Sequence, residues 1–577
     1  LTEPRERIRT SSSETVLGAA ALLVAGIMLF SGLGSVPLMQ PDEGRNSEVA
    51  REMAVTGSWL VPTLEGHPYL DKPAAYFAAV AVTIRLFGAN EWGARMPSAL
   101  CELLILAMVY AFARRRYDPP TAALSVIVVA TSPMVFAFSR IVIMDIALAA
   151  CTVAAILAAF VAEDGAAPDR RWHAAGAAAV GLGMLVKGPV GAAVPAAVLV
   201  VFFIIDGRPR ALRRVFAPVN VLIVAALFVP WFAALCRAHP EFFHYGVVQE
   251  TLGRFFTPAF NRGQPFWYYG PILLEALLPW TVLFVPMAVA AVLARSRWTS
   301  ADRLFVVWTI VVIVFFSLSR TKQPGYILTG AIAAAVLVGR GLGYAWRNRD
   351  GRAARLVARG SLALAVLTLA GAAALGWAIA HGKASPANLA GMTAEQQSMW
   401  MTWPALLAVL IAMSLLGAWA FLRRNAGIAV AAFALCPVAL VTVMLPAVVD
   451  FADARSAKSL AAGLAALPPA TELACLDGYP AGLSFYLGRT LTIISDTAEP
   501  LRSNFILYWL RTTPARPATI VLPSERDRWL SSRMTPAIVL APDSAHADLA
   551  DWLGSRVPLQ AAPNGWWLAS VPRQQAR

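Results

Sequence analysis

The stretch from Pro41 to Pro73 holds the residues best suited to chemistry. It opens Pro41-Asp42-Glu43-Gly44-Arg45, passes through Arg51-Glu52 and ends Tyr69-Leu70-Asp71-Lys72-Pro73. Nine of these 33 positions are charged, in a chain that is 58% hydrophobic and only 14% charged. The stretch directly follows an apolar run long enough to cross a bilayer. Carboxylates beside cations at such a surface can hold a polar ligand, move a proton or stabilise a phosphate. The bland alternative is a solvated loop.

Three shorter stretches carry similar groups. They are Ser139-Arg140 with Asp145, Lys187-Gly188-Pro189, and the run Ser319-Arg320-Thr321-Lys322-Gln323-Pro324-Gly325-Tyr326. An ionisable group beside an apolar span costs about 2.5–3.5 kcal/mol on insertion scales, so it tends to face a cavity. Asp145 could instead simply pair with Arg140, and Lys187 could snorkel to the interface. The Gly-Pro after Lys187 breaks the helix, which would let ammonium and backbone line a cavity. Residues 239–270 interleave ten aromatic rings with His239, His244, Glu250, Arg254 and Arg262. Such rings are usually an interfacial belt, but they would also suit a lipid chain, with guanidinium on its phosphate. His244, His67 and Asp71 are candidate ligands for a divalent cation if the two loops meet.

The elements that must position these residues are membrane spans. A chain of 577 residues with repeated long apolar runs and mean hydropathy +0.61 belongs to the polytopic α-helical membrane class. The net charge of +14 then reflects basic loops facing anionic lipid rather than nucleic acid. The five cysteines form no CxxC, so neither a disulfide framework nor a zinc knuckle is indicated. Residues 16–38 are too long for a signal-peptide core and read as an uncleaved first span. Arginine clusters at 5–9, 114–116, 170–171, 208–214, 295–303, 347–359 and 423–424 mark one face, with two crossings between successive clusters. That pattern predicts about 13 spans, with 73–88 too short to cross and lying along the outer face. An odd number places the loops 39–91, 237–270 and 381–402, and everything after Asp450, on the face opposite the arginines. Beyond Asp450, short β-rich segments alternate with helix-like ones, which predicts a small α/β domain over 450–577 behind a membrane domain of 1–449.

These residues resemble a family. Asp42-Glu43-Gly44-Arg45 followed by Glu48-Val49-Ala50-Arg51-Glu52-Met53, then Gly57-Ser58-Trp59-Leu60-Val61-Pro62 and Tyr69-Leu70-Asp71-Lys72-Pro73-Ala74, is similar to the pattern of polyprenyl-phosphate-sugar-dependent GT-C glycosyltransferases. The closest resemblance is to the 4-amino-4-deoxy-L-arabinose transferases that modify lipid A. Arg140 with Asp145, Lys187-Gly188-Pro189 and Lys322-Gln323-Pro324-Gly325-Tyr326 extend the match. Leu70-Asp71 stands where that family has Phe-Glu, and Ala74 where it has a second Pro.

The resemblance implies a GT-C fold in the bacterial inner membrane, with juxtamembrane helices, active site and C-terminal domain facing the periplasm. It implies undecaprenyl phosphate-linked aminoarabinose as donor, lipid A phosphate as acceptor, and resistance to polymyxin as the outcome. No cofactor is required, although a bound cation such as zinc would be held by His244 and Asp71. Asp42 would orient the sugar, with Glu43 and Asp145 as further acids. Lys72 and Arg254 would face the leaving phosphate, supported by Arg45, Lys187 and Lys322, with Tyr69 and Tyr326 as hydroxyl donors. A protein O-mannosyltransferase-like enzyme is the alternative within the class. A transporter of lipid-linked sugar is the alternative outside it.

Overall fold

Several helices start where short polar side chains can take up their first free N–H groups. In the computed structural model, the Asn90 carboxamide accepts from Gly93 N at the start of Glu91–Arg116. Asp118 does the same for Pro119–Ala130, and Asn425 for Ala426–Asp453. Thr299 and Asp302 form a reciprocal capping box that opens Ser300–Leu318. The structure describes residues 12–253, 263–293, 295–381, 394–497, 499–512, 519–554 and 557–572.

Helix occupies each of the predicted spans, but the segments differ in reach. Among the described residues, eight helices are long and apolar enough to cross a membrane, and one bent pair, Phe266–Ala276 with Thr281–Leu293, turns by 114°. The remaining predicted spans are shorter or less apolar: Glu14–Phe30, Pro119–Ala130, Arg170–Lys187 and Val190–Ile205. Pro133 explains one of them. It opens a separate short helix, Pro133–Phe138, and ends the run over 120–138 early. Arg170–Lys187 is rich in small residues that serve packing. A Cβ on Gly191 would lie 2.3 Å from the Gly183 carbonyl carbon, so the two helices joined by Gly188-Pro189 approach closely. The weak candidate over 73–88 is the 13-residue helix Ala75–Phe87, packed against the helix Asp42–Thr56.

Arginines of four of the clusters are tied down by acids from neighbouring turns. Arg116 pairs with Asp164, Arg214 with Glu163, Arg208 and Arg303 with Asp206, Arg340 with Asp302, and Arg347 with Asp118. Arg140 does not pair with Asp145 as one reading allowed. Its guanidinium caps the carbonyls of Ser31 and Met28 and lies 4.2 Å from the Phe136 ring centroid.

The α/β segment is a six-stranded sheet. Its strands are β3 (Glu472–Leu476), β4 (Thr492–Ile494), β5 (Ile520–Val521), β6 (Ala537–Pro542), β7 (Leu559–Ala562) and β8 (Trp566–Val571), ordered β5-β4-β3-β6-β8-β7. β3 to β6 are mutually parallel, and β7 and β8 add antiparallel edges. This sheet and the first loop share a core. Leu38, Val49, Met53, Leu64, Tyr69 and Phe77 bury into one cluster with Leu473, Cys475, Leu483, Phe485 and Ile493. The expected boundary at 449/450 falls inside the helix Ala426–Asp453, and the packing runs across it.

Candidate active site

The charged motifs converge on a cavity of about 540 Å³. Lys72 enters from the end of the first loop, Asp145 from the first turn of Asp145–Glu163, and Lys187 from the last turn of Arg170–Lys187. Ser319, Gly325 and Tyr326 close another side. Apolar wall is supplied by Phe228, Trp231, Phe232, Phe242, Phe315 and Phe316. A cavity lined by both charged side chains and aromatic rings suits an amphiphile.

Each charge has a partner. Lys187 Nζ donates to Asp145 Oδ1 at 2.7 Å and stands 5.4 Å from the Tyr326 ring centroid. Lys72 pairs with Glu250, carried on the π-helical segment His244–Gly253. Gly325 keeps this assembly tight, because an added Cβ would lie 2.4 Å from Phe138 and 3.2 Å from Asp145 Oδ1. These pairs are only partly buried, with Lys187 at 15% and Asp145 at 12% exposure, so a ligand can compete for them.

Other predicted residues lie outside this lining. Glu43 is a structural acid: its carboxylate takes two 2.9 Å hydrogen bonds from Arg95 and accepts from the backbone of Met39 and Val142. Four donors leave it no capacity for a substrate. Asp42 is half-exposed and pairs with Arg45 at 2.6 Å. Arg45 also donates to the Arg502 carbonyl at 2.6 Å and lies 5.8 Å from the Tyr69 ring centroid. Burial alone would lower the Arg45 pKa; Tyr69, Asp42 and Asp71 more than offset it. Tyr69 is buried, which holds its phenol protonated well above the usual range. Lys322 turns back on its own turn, donating to the Ser319 carbonyl at 2.6 Å. Arg254 lies outside the described residues.

The suggested cation ligands are not assembled. Asp71 accepts from Tyr245 Oη and from Phe505 N, each at 2.7 Å. The His244 ring stacks on Tyr508, and His67 Nε2 contacts Thr519 Oγ1 at 2.8 Å. Among the described residues no three His, Cys, Asp or Glu side chains gather as a metal site. Asp71 instead ties the loop to the C-terminal sheet domain.

Sequence reasoning missed the residues that lock this loop in place. Glu65, at the tip of the hairpin formed by β1 (Thr63–Leu64) and β2 (His67–Pro68), is fully buried in the C-terminal domain. It accepts from Tyr479 Oη, Ser484 Oγ and Leu491 N at 2.8, 2.5 and 2.7 Å. Burial and neighbouring Glu52 still raise its pKa to about 7. Burial alone lowers His67 to about 4. Glu250 was visible only as one acid among the aromatics of its loop.

Comparison with known proteins agrees with this geometry. Residues 71–233 match the family described as dolichyl-phosphate-mannose-protein mannosyltransferase. The undecaprenyl phosphate-alpha-4-amino-4-deoxy-L-arabinose arabinosyl transferase of Erwinia tasmaniensis is 32% identical over 305 residues, 52% of this chain and 55% of that protein. Its counterpart in Edwardsiella ictaluri is 30% identical over 352 residues, 58% of this chain and 62% of that one. The chain thus spans a little over half the length of these curated relatives. Among solved structures, ArnT from Cupriavidus metallidurans bound to undecaprenyl phosphate superposes with a TM-score of 0.82 at 25% identity, covering 97% of this chain and 98% of that one. By fold and by matched sequence, the chain is a polytopic helical membrane protein of the GT-C type, related to the undecaprenyl phosphate-aminoarabinose arabinosyl transferases.

Proposed function

We propose that the protein is a membrane glycosyltransferase that moves 4-amino-4-deoxy-L-arabinose from undecaprenyl phosphate to a phosphate of lipid A. The reading places the reaction at the periplasmic face of the bacterial inner membrane. One observation carries it: Lys72, Lys187, Asp145 and Tyr326 line a single apolar-walled cavity, in a fold that superposes on a structure bound to undecaprenyl phosphate.

Charge bookkeeping fits that site. An oxygen of the acceptor phosphate attacks the anomeric carbon, and the bond from that carbon to the undecaprenyl phosphate oxygen breaks. The acceptor monoester becomes a diester and loses one negative charge; the departing lipid phosphate gains it. No proton has to be removed, so a general base is unnecessary, and cations are needed where charge develops. Lys72 takes that role at the leaving phosphate, with Lys187 beside it and Tyr326 as hydroxyl donor. Ligand phosphate would displace the carboxylates that now hold the two ammonium groups. Asp145, once released from Lys187, faces the aminosugar and its cationic amine, while Asp42 acts from the edge of the site beside Arg45.

Reconstituted protein given undecaprenyl phosphate-aminoarabinose and lipid A tests this reading. Formation of pentosamine-modified lipid A with release of undecaprenyl phosphate is expected. Donor turnover that requires a protein or other glycan acceptor would overturn it.

A further inference from the structure

A second cavity of about 300 Å³ lies at the seam between the first loop, the end of the helix Ala426–Asp453 and the C-terminal sheet. Its lining includes Arg45, Arg455, Arg502, Tyr479, Asn564 and Trp566 and, among the described residues, no acidic one. The three arginines come from separate parts of the chain: the first turn of Asp42–Thr56, the end of the last long helix, and the turn after β4. The frame around them is fixed. Gln40 N donates to the Arg455 carbonyl at 2.8 Å, and Asn564 Nδ2 holds the carbonyls of Asp453 and Ser456 at 2.7 and 3.0 Å. Gly44 abuts the Ala481-Gly482 backbone, where an added Cβ would lie 2.3 Å from the Ala481 oxygen.

Two features point to an anionic ligand. Arg45 uses its Nη atoms on the Arg502 carbonyl and Asp42 and also interacts with the Tyr69 hydroxyl, while its buried Nε has no geometric hydrogen-bond partner among the described residues. A buried guanidinium N–H left over is a donor waiting for an acceptor. The second feature is topological. In the order β5-β4-β3-β6 the chain leaves β3 for β4 on one side and returns as β6 on the other. Open parallel sheets bind ligands outside the carboxyl ends of the strands at such a switch point. Tyr479 and Ala481 follow β3 directly and line the cavity.

We propose that this seam cavity binds the phosphate monoester headgroup of the acceptor glycolipid, so that the C-terminal domain acts in acceptor recognition. The proposal rests on the transfer reaction above. Asp71 lines the larger cavity and Arg45 the smaller, with Tyr69 between them in contact with Arg45. Planar guanidinium groups grip a phosphate monoester in paired hydrogen bonds, and their charge offsets repulsion between two anions brought together.

The test uses full-length protein in lipid nanodiscs, as wild type and as the double variant Arg455→Ala/Arg502→Ala. Both side chains are exposed, and an unchanged thermal transition confirms folding. Affinity is measured for lipid A, for enzymatically dephosphorylated lipid A and for undecaprenyl phosphate, with inorganic phosphate as competitor. The double variant should lose about 10- to 100-fold in affinity for lipid A and keep that for undecaprenyl phosphate. Wild type should prefer phosphorylated over dephosphorylated lipid A. Equal lipid A affinity in wild type and variant overturns the placement while leaving the transfer reaction standing. An equal loss for undecaprenyl phosphate assigns the cavity to the donor, and inorganic phosphate competing as well as lipid A makes it a free-phosphate site; either overturns the proposal. Wild type that neither binds nor modifies lipid A refutes the acceptor reading and the proposal together.

Discussion

The two ends of the helical bundle use the same residue types for opposite purposes. At the arginine-rich end, Asp206 is 3% exposed and holds Arg208 and Arg303 at 2.6 Å each, while Glu163 holds Arg214 and His173. These pairs knit interhelix turns together and line neither of the two cavities described. At the other end, Lys72–Glu250 and Lys187–Asp145 project into a 540 Å³ cavity, and three arginines surround another of 300 Å³. Counting charges cannot separate the two ends. What separates them is whether the pair faces space that a ligand can fill.

Breaking one pair at each end makes that contrast quantitative. Lys72→Ala should lower the transfer rate by about 10²–10³-fold with little change in melting temperature, measured on reconstituted protein. Asp206→Ala should do the reverse. It removes a buried acceptor from two partly exposed guanidinium groups that keep other partners and should cost about 1–2 kcal/mol of stability, read from thermal unfolding, with donor affinity intact. If both variants lost activity and stability together, the two ends would not differ as described.

Smaller effects sharpen the comparison. Gly325→Ala pushes a methyl toward Phe138 and Asp145, and should slow transfer by about tenfold, corresponding to about 1.4 kcal/mol, while the arginine end stays unaffected. The seam offers the mildest test, through pH. Glu65 rises from 4.5 to about 7 on folding, so its contribution to stability is full below about 4.5 and is lost as pH rises to about 7. His67 falls from 6.5 to about 4, so its contribution is full above about 6.5 and is lost as pH falls to about 4. The two trends oppose each other. His67→Gln removes one of them, so its melting temperature relative to wild type should improve on acidification from pH 7 to 5. A difference that is flat, or of the opposite sign, would show that His67 does not titrate as its burial implies.

The cavity was legible in the sequence because its charges interrupt apolar runs, where an ionisable side chain has few other reasons to stand. Asp145 and Lys187 stand out on that signal, Lys72 on the charge density of the first loop, and Tyr326 on the family resemblance. Their partners do not. Arg140 is nearer to Asp145 in sequence, yet Asp145 pairs with Lys187, because Gly176 and Gly183 let the helix ending at Lys187 pack closely on the helix that begins at Asp145. Glu43 reads as a weaker candidate beside Asp42, and nothing local reveals that Arg95, 52 positions on, engages both of its oxygens. The strands of the C-terminal sheet were readable from their β-branched and apolar runs, with the exposed strand β7 missed. Its docking was not, because it depends on a buried hairpin tip at Glu65 and on the absence of side chains at Gly44 and Gly482.

The most direct test of the central claim is mass spectrometry of lipid A from a host that makes the aminoarabinose donor but lacks its own transferase. Wild type, Lys72→Ala and Asp145→Asn would be compared at matched membrane expression. The account predicts pentosamine-modified lipid A from wild type and loss of nearly all modification in both variants. Unmodified lipid A from folded wild type, or modification that persists in both variants, would contradict it.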